Sequence, residues 1–298
     1  MVDITHKSNT LREATAQAIV KVGDQKTIKL IEAGEIPKGD IFEMSRAAGL
    51  LGVKKTPDLL PDCHPLPIEY TDVEYQINEL EISILMTIKT IYKTGVEVEA
   101  MHGASIVALN MYDMLKPVDK NVEIRTIKLL KKTGGKSNFK QPIDGLTCKV
   151  VVCSDSVSKG EKEDRSGQLI EKRMKEFGVK TSLNVVPDEK EAIAKEVREQ
   201  TSDFLIFTGG TGAGPKDVTP DTIRPLLDTT LHGVEEEMRR YGQERFPTAM
   251  LSRSVAGIRN NKIILAFPGS SGGVTDCMNA IFPHIFHVFH VLKGGGHE

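Results

Sequence analysis

The chain has 298 residues, about twice an ordinary single-domain length, so two domains are expected, each able to bury its own core. Its 39 Lys and Arg against 41 Asp and Glu give a formal net charge of -2. That balance excludes a general nucleic-acid binder held by bulk electrostatics and leaves any anionic ligand to local basic clusters.

From the amino terminus, the pattern predicts a helix over 10–33, a loop at Pro37-Lys38-Gly39-Asp40 and a short helix over 42–51. A loop with Pro61, Pro65 and Pro67 follows. Residues 69–93 alternate in the manner of antiparallel strands, and GVEVEAMHGASIVALNMYDMLK then changes to helical periodicity, so this half reads as α+β. Near residue 140, KTGGKSNFKQPIDGLT mixes glycine, serine, proline and charge before the apolar run Val150 to Cys153. That composition marks a linker over 140–147, between domains at 1–139 and 148–298. Beyond it come the strand KVVVCS, the helix RSGQLIEKRMKEFG, the strand TSLNVV, the helix EAIAKEVREQ and the strand DFLIFTGG, then further helices and the strand KIILAF. Strands alternating with helices imply an α/β, doubly wound, mostly parallel sheet whose ligands gather at the carboxyl ends of strands.

No apolar run is long enough to span a bilayer, and MVDITHKSNT lacks the basic and apolar blocks of a signal peptide, so a cytoplasmic protein without a membrane partner is expected. Cys63, Cys148, Cys153 and Cys277 show no CxxC spacing and read as reduced thiols. His284, His287 and His290 recur every third residue, but with Ile285, Phe286, Val288 and Phe289 between them they read as the polar edge of a packed terminal helix.

The strand DFLIF runs into Thr208-Gly209-Gly210-Thr211-Gly212-Ala213-Gly214-Pro215-Lys216-Asp217. Glycines at a strand end let backbone amides approach an anion, as a phosphate cradle requires. The spacing matches neither common nucleotide fingerprint. Asp188, in VVPDE, and Asp217 lie where strand ends converge, and hard oxygen ligands beside a phosphate cradle suit magnesium and a nucleoside triphosphate. Taken singly, each could equally be a turn residue or a helix cap.

SDSVSKGEKEDRSG, PDE, FTGGTG, KDVTPD and AFPGSSGG, in this order over 148–298, resemble the molybdopterin adenylyltransferase family. The resemblance implies joining of molybdopterin to the adenylyl group of ATP with magnesium required. It places metal-binding acids at Asp188 and Asp217, nucleotide contacts at Gly209, Gly210, Thr211 and Gly212, and pterin contacts at Ser270 and Ser271. Adenylyl transfer needs charge neutralisation and in-line positioning more than a protein nucleophile, which suits these residue types. Pro268-Gly269-Ser270-Ser271 lacks the second proline of many such enzymes and is closer to a paralogous branch, so a non-catalytic molybdopterin-binding or assembly module is the alternative.

In the first half, Asp113 and Lys116 share a helical face, which by itself describes a solvated surface pair. The series MVDI, LREA, KGD, LLPDCHPL, TGVEVEA, ALNMYDMLK and LLKKTGGKS over 1–139, however, resembles cyclic pyranopterin monophosphate synthases. This implies a ferredoxin-like α+β fold and a homo-oligomer with three-fold symmetry, a trimer or a trimer of dimers. It also implies conversion of a cyclised dihydro-GTP intermediate to cyclic pyranopterin monophosphate with loss of pyrophosphate, with no cofactor. By position, the resemblance gives Lys38, His64, Glu97, Glu99, Asp113, Lys116 and Lys132 as the catalytic set, with Asp113 first as acid/base. Arg12 is a phosphate contact, and Asp62, Cys63 and Val98 adjoin substrate. Glu99 and Asp113 lie fourteen residues apart, about 21 Å along a helix, so they serve opposite ends of an extended site or a neighbouring subunit brings the sets together. A purely structural scaffold fits poorly with polar motifs in both halves.

Overall fold

The computed structural model describes residues 1–135 and 143–295. The chain forms two compact units, Met1–Asn138 and Phe139–Glu298. Residues 140–142 of the expected linker lie outside the described residues, and Thr147, its last residue, opens the first strand of the second unit. No helix among the described residues is long and apolar enough to cross a membrane.

The first unit runs β1 (Thr10–Lys21), α1 (Gln25–Glu32), α2 (Ile41–Lys54), α3 (Thr56–Leu59), β2 (Tyr70–Asn78), β3 (Glu81–Tyr92), α4 (Glu97–Leu115) and β4 (Glu123–Thr133). Its four strands form one antiparallel sheet in the order β2-β3-β1-β4. The predicted helix over 10–33 is therefore wrong for its first twelve residues. Ala14, Ala16, Ala18 and Val20 are buried at alternate positions, a period of two that the helix propensity of alanine masks. Pairing with β3 on one side and β4 on the other overrides that propensity. Helix begins only after Gly23, where Asp24 caps α1 through the Thr27 amide at 3.0 Å. β4, which the sequence pattern does not predict, is an edge strand exposed along most of its length and rich in lysine, so it lacks the apolar alternation that marks a half-buried strand.

The small side chains of β1 let α4 lie close on the sheet, with Ala100, Ala104, Val107 and Met111 packed among Ile84, Met86 and Ile88. α2 crosses α4 equally closely. A Cβ on Gly49 would stand 2.4 Å from Val107 Cγ2, and one on Gly103 2.5 Å from Val53 Cγ2.

The second unit runs β5 (Thr147–Cys153), α5 (Asp155–Ser158), α6 (Ser166–Glu176), β6 (Lys180–Val186), α7 (Lys190–Arg198), β7 (Phe204–Thr208), α8 (Thr219–Ile223), β8 (Thr229–Thr230), α9 (His232–Gln243), β9 (Val255–Arg259), β10 (Lys262–Phe267), α10 (Ser271–Ile281) and α11 (His287–Leu292). The sheet order is β6-β5-β7-β10-β9-β8. The first four strands are parallel, as the sequence predicts, and β9 and β8 add an antiparallel edge. Successive residues of β7 and β10 are buried on opposite faces in two separate cores, which is why these strands read as continuous apolar runs. The histidine-containing tail is a short 3-10 turn (His284–Phe286) followed by α11, not one helix; Ile285 and Phe286 are buried, and the His287 and His290 rings stack at 5.7 Å.

The crossing of α2 and α4 gives a direct test. Gly103→Ala is expected to destabilise the first unit by about 1–3 kcal/mol through overpacking. Urea unfolding and hydrogen exchange at α2 and α4 amides measure it; an unchanged free energy would mean the helices are not in contact there.

Candidate active sites

In the first unit α4 carries polar sets at both ends. Glu97 and Glu99 occupy its first turn, where the helix dipole favours carboxylates. Lys132, from β4, reaches Glu97 Oε1 at 3.1 Å. Arg12, from β1, donates to the carbonyls of Tyr92 at 3.1 Å and Lys93 at 3.2 Å; partial burial holds its guanidinium pKa below the usual value, an effect the Glu97 charge opposes. Gly134 and Gly135, both with positive φ, wrap this guanidinium so closely that a Cβ on Gly135 would stand 2.2 Å from Arg12 Nη1.

Glu99 is 2% exposed, and burial pushes its carboxyl pKa up. The Cys63 thiol donates to its Oε1 at 3.1 Å; burial first and Glu99 second push that thiol up to about 12, so Cys63 is a hydrogen-bond donor and not a nucleophile. Next to it His64 donates from Nε2 to the Val2 carbonyl at 2.8 Å, and Asp62 accepts from the amino terminus at 3.0 Å. Val98 is exposed.

The carboxyl end of α4 holds Asp113. Lys116 approaches its Oδ1 at 2.6 Å, and Lys38, from the loop before α2, approaches Oδ2 at 2.5 Å and also donates to the Asp113 carbonyl at 2.8 Å. The bond from Lys116 and then that from Lys38 lower the carboxyl to about 2. The sequence-predicted residues thus fall into two groups at opposite ends of one helix, and within a single chain they do not meet.

In the second unit the loop after β7 bends through Gly209 (φ 105°) and Gly210 (φ 61°), where a Cβ would stand 2.2 Å from the Cys153 carbonyl oxygen and 2.4 Å from Thr219 Oγ1. Its carbonyls are taken one after another. Gly209 O accepts from Thr219 Oγ1 at 3.0 Å, Gly210 O from the Thr219 amide at 3.2 Å, Thr211 O from the Arg253 amide at 2.8 Å and Gly212 O from Arg253 Nε at 2.8 Å. The Gly209 amide donates to Phe267 O at 3.1 Å, so this glycine serves the close turn and does not offer its N–H to a phosphate. The amides of Gly210, Thr211 and Gly212 donate to nothing among the described residues. Facing them, Ser270 caps α10 through the Gly273 amide at 3.1 Å, and Ser271 opens that helix. Gly210, Ser270 and Ser271 line a crevice of about 600 Å³ together with Ser154, Lys162 and Arg165, while Thr211, Gly212 and Asp217 line an adjoining cavity of about 840 Å³ that shares Gly210 and Ser270 with it.

Asp188 and Asp217 flank the loop. Asp188 Oδ2 accepts from the Asp155 amide at 3.1 Å while its own amide donates to Asp155 Oδ1 at 3.1 Å. Burial raises the Asp188 carboxyl, and the charges of Asp155 and Asp217 raise it further. Asp217 Oδ2 accepts from the Gly214 amide at 2.7 Å. Among the described residues no three His, Cys, Asp or Glu side chains are grouped to hold a metal ion.

Residues 1–135 match the MoaC family and residues 149–287 match a family described as a probable molybdopterin binding domain. The molybdenum cofactor biosynthesis bifunctional protein of Chlorobaculum tepidum is 38% identical over 100% of this chain and 96% of its own length. The chain belongs to that bifunctional family. Its first unit is also 45% identical to the cyclic pyranopterin monophosphate synthase of Peptoclostridium acidaminophilum, over 46% of this chain and 87% of the relative. The crystal structure of the molybdopterin biosynthesis enzyme MoaB from Thermus thermophilus is 32% identical, covering 51% of this chain and 99% of its own, with a TM-score of 0.46.

Members of this family act in molybdenum cofactor biosynthesis, and the structure adds residues to the site that motif reading missed. Asp155 lies within SDSVSKGEKEDRSG and Thr219 within KDVTPD. Arg253 belongs to none; it donates to both Asp221 oxygens, at 2.9 and 2.8 Å, to Gly212 O, and to the Asp217 carbonyl. Only the folded loop reveals it, because its backbone partners lie far away in sequence.

The lysine pair around Asp113 is open to titration. A carboxyl lowered from 3.8 to about 2 contributes stability that is present above the unfolded value and lost as pH falls through the folded one. Carboxyl-carbon NMR is expected to show Asp113 titrating near pH 2 in the wild type and moving toward the ordinary carboxylate range in Lys38→Ala. A wild-type midpoint at the ordinary value would break the pairing.

Proposed function

We propose that the first unit converts a cyclised dihydro-GTP intermediate to cyclic pyranopterin monophosphate with release of pyrophosphate, and that the second adenylylates molybdopterin with Mg-ATP. For the second unit the observation that carries this reading is the set of three unspent amides at Gly210, Thr211 and Gly212, turned outward because their neighbouring carbonyls are bonded elsewhere. Such a row is an anion cradle, and the N-terminus of α10 across the crevice supplies a second.

Asp188 and Asp217 fit a hard cation. Burial and like charge make the ionised form of Asp188 costly, a cost a divalent ion offsets, and two carboxylates plus phosphate oxygens form the ligand set magnesium usually takes. When bound, the ion would neutralise charge on the departing pyrophosphate. The amides of the glycine loop hold phosphate, Arg253 keeps the loop in its donating shape, and Lys162 and Arg165 offer positive charge at the crevice wall.

In the first unit Asp113, ionised and held between Lys116 and Lys38, acts as the base, with the two lysines as donors that can return a proton. Glu99, buried and raised, is the carboxyl suited to give one up. Arg12 and Lys132 face the triphosphate. The strand order β2-β3-β1-β4 with helices between supports the ferredoxin-like reading. The separation of the two polar sets along α4 supports an oligomer in which a neighbouring subunit completes each site, and the exposed Leu11, Ile91 and Leu130 supply apolar surface for it.

Two variants test the units separately. Asp113→Asn is expected to lower pyranopterin formation by about a hundredfold or more while unfolding and assembly stay as in the wild type; wild-type turnover would remove Asp113 from the chemistry. Asp217→Asn is expected to lower adenylylation by roughly two orders of magnitude or more at saturating magnesium while pyranopterin formation persists. Equal adenylylation by variant and wild type would refute the metal site. Absence of adenylylation in the wild type would favour the binding-module alternative, which rests on Ser271 standing where many adenylyltransferases carry proline.

A further inference from the structure

His102 stands one turn along α4 from Glu99, outside every motif of the first half. It is half-buried, and its Nδ1 lies 3.0 Å from the hydroxyl of Thr56, a fully buried residue at the start of α3. That hydroxyl also lies 3.0 Å from the Val53 carbonyl and 3.3 Å from the Gly52 carbonyl. A carbonyl only accepts, so the one hydroxyl proton goes to Val53 and the oxygen accepts from the ring. Nδ1 therefore carries a hydrogen, which leaves Nε2 as the nitrogen that takes up a proton. Nε2 makes no hydrogen bond among the described residues.

Glu99 lies on the same face of the helix, where side chains three residues apart have Cβ atoms about 5–6 Å from each other. Among the described residues its carboxyl receives one side-chain donor, the Cys63 thiol. Asp119, the other buried carboxylate among the described residues of this unit, accepts from the Gly23 amide at 2.6 Å, the Asn121 amide at 2.8 Å and the Thr27 hydroxyl at 3.0 Å. Against burial, these three donors lower its carboxyl, as suits a structural acid. A thiol is a weaker donor, so Glu99 remains able to carry a proton. Burial raises the Glu99 carboxyl and the charge of Glu97 adds to that, while the Cys63 bond, the helix backbone and a charge on His102 act the other way. Lys132, from β4, and Arg12, from β1, are engaged with Glu97 and with the Tyr92 and Lys93 carbonyls. Resting on the reading that Glu99 gives up a proton in pyranopterin formation, we propose that His102 is a positioning residue whose Nε2, with Nδ1 pinned by Thr56, shares one proton with Glu99 across a turn of α4. When Glu99 protonates the substrate, Nε2 returns a proton to the carboxylate, and the neutral ring regains one from solvent.

Carboxyl-carbon NMR of Glu99 in the full chain tests this, together with turnover of the cyclised dihydro-GTP intermediate. His102→Asn keeps an N–H for Thr56 and has no atom at Nε2; His102→Gln reaches the Nε2 position with an amide that does not titrate. The wild-type Glu99 curve is expected to show a second inflection, where the neighbouring ring loses its charge. In both variants that inflection is expected to vanish and the Glu99 titration to move to higher pH, because a charge that lowers it is gone. The alkaline limb of the kcat profile is expected to move the same way, with kcat down roughly tenfold, KM unchanged and the melting transition as in the wild type. A wild-type curve with one inflection, unmoved in both variants, would overturn the pairing and leave the reading of Glu99 intact if Glu99→Gln abolishes turnover. Lower turnover that tracks a lower melting transition, with the Glu99 titration unmoved, would reduce His102 to packing and overturn it equally. Wild-type turnover in Glu99→Gln would refute the reading of Glu99 and the inference with it.

Discussion

Four consecutive carbonyls, from Gly209 to Gly212, are each bonded away from the crevice by Thr219 or Arg253. A peptide unit cannot turn its oxygen one way without turning the next N–H the other, so fixing the oxygens fixes the donors. The site of the second unit depends on this constraint. The glycines permit the bend, β7 and β10 hold its ends because both are buried on two faces, and Arg253 locks it from a strand's end on the antiparallel side. The proposed adenylyl transfer would rest on this backbone geometry more than on any reactive side chain, since it needs positioning and charge neutralisation.

The first unit follows a different plan. There α4 is the rigid element, held close to the sheet by alanines on β1 and to α2 by glycines on both helices, and the polar residues hang from its two ends. At the amino end Glu97 and Glu99 draw in Lys132 and Cys63, with Arg12 alongside; at the carboxyl end Asp113 draws in Lys38 and Lys116. Like the glycine loop, each set includes partners distant in sequence. A rigid spacer of this length keeps the two sets apart within one chain.

Much of this is legible in the sequence, for physical reasons that also explain the failures. The parallel strands of the second unit announce themselves as apolar runs because both faces are buried, and α4 shows helical periodicity because one face meets a sheet. β1 misleads because its inward residues are mostly alanines, which carry little hydrophobic contrast and a strong helix preference. β4 escapes notice because an edge strand that is exposed along its length has no buried face to pattern it. The glycine loop and the charged pair Asp113 and Lys116 are visible as motifs. Arg253 is not, since it acts on backbone carbonyls distant in sequence, which leave no mark in local spacing.

Cys63 donates a hydrogen bond to Glu99, Cys153 lies beneath the glycine turn and Cys277 is buried on α10, and burial pushes all three thiols up to about 12. At neutral pH a thiol so held is ionised on the order of one part in ten to the fifth, and only the thiolate is readily oxidised or alkylated. Cys148 is raised in the same way by burial. Burial thus holds the sulfur at each candidate site in the less reactive thiol form. Reaction with a thiol reagent would register the opening of either unit, so the rate of labelling measures how often each core comes apart.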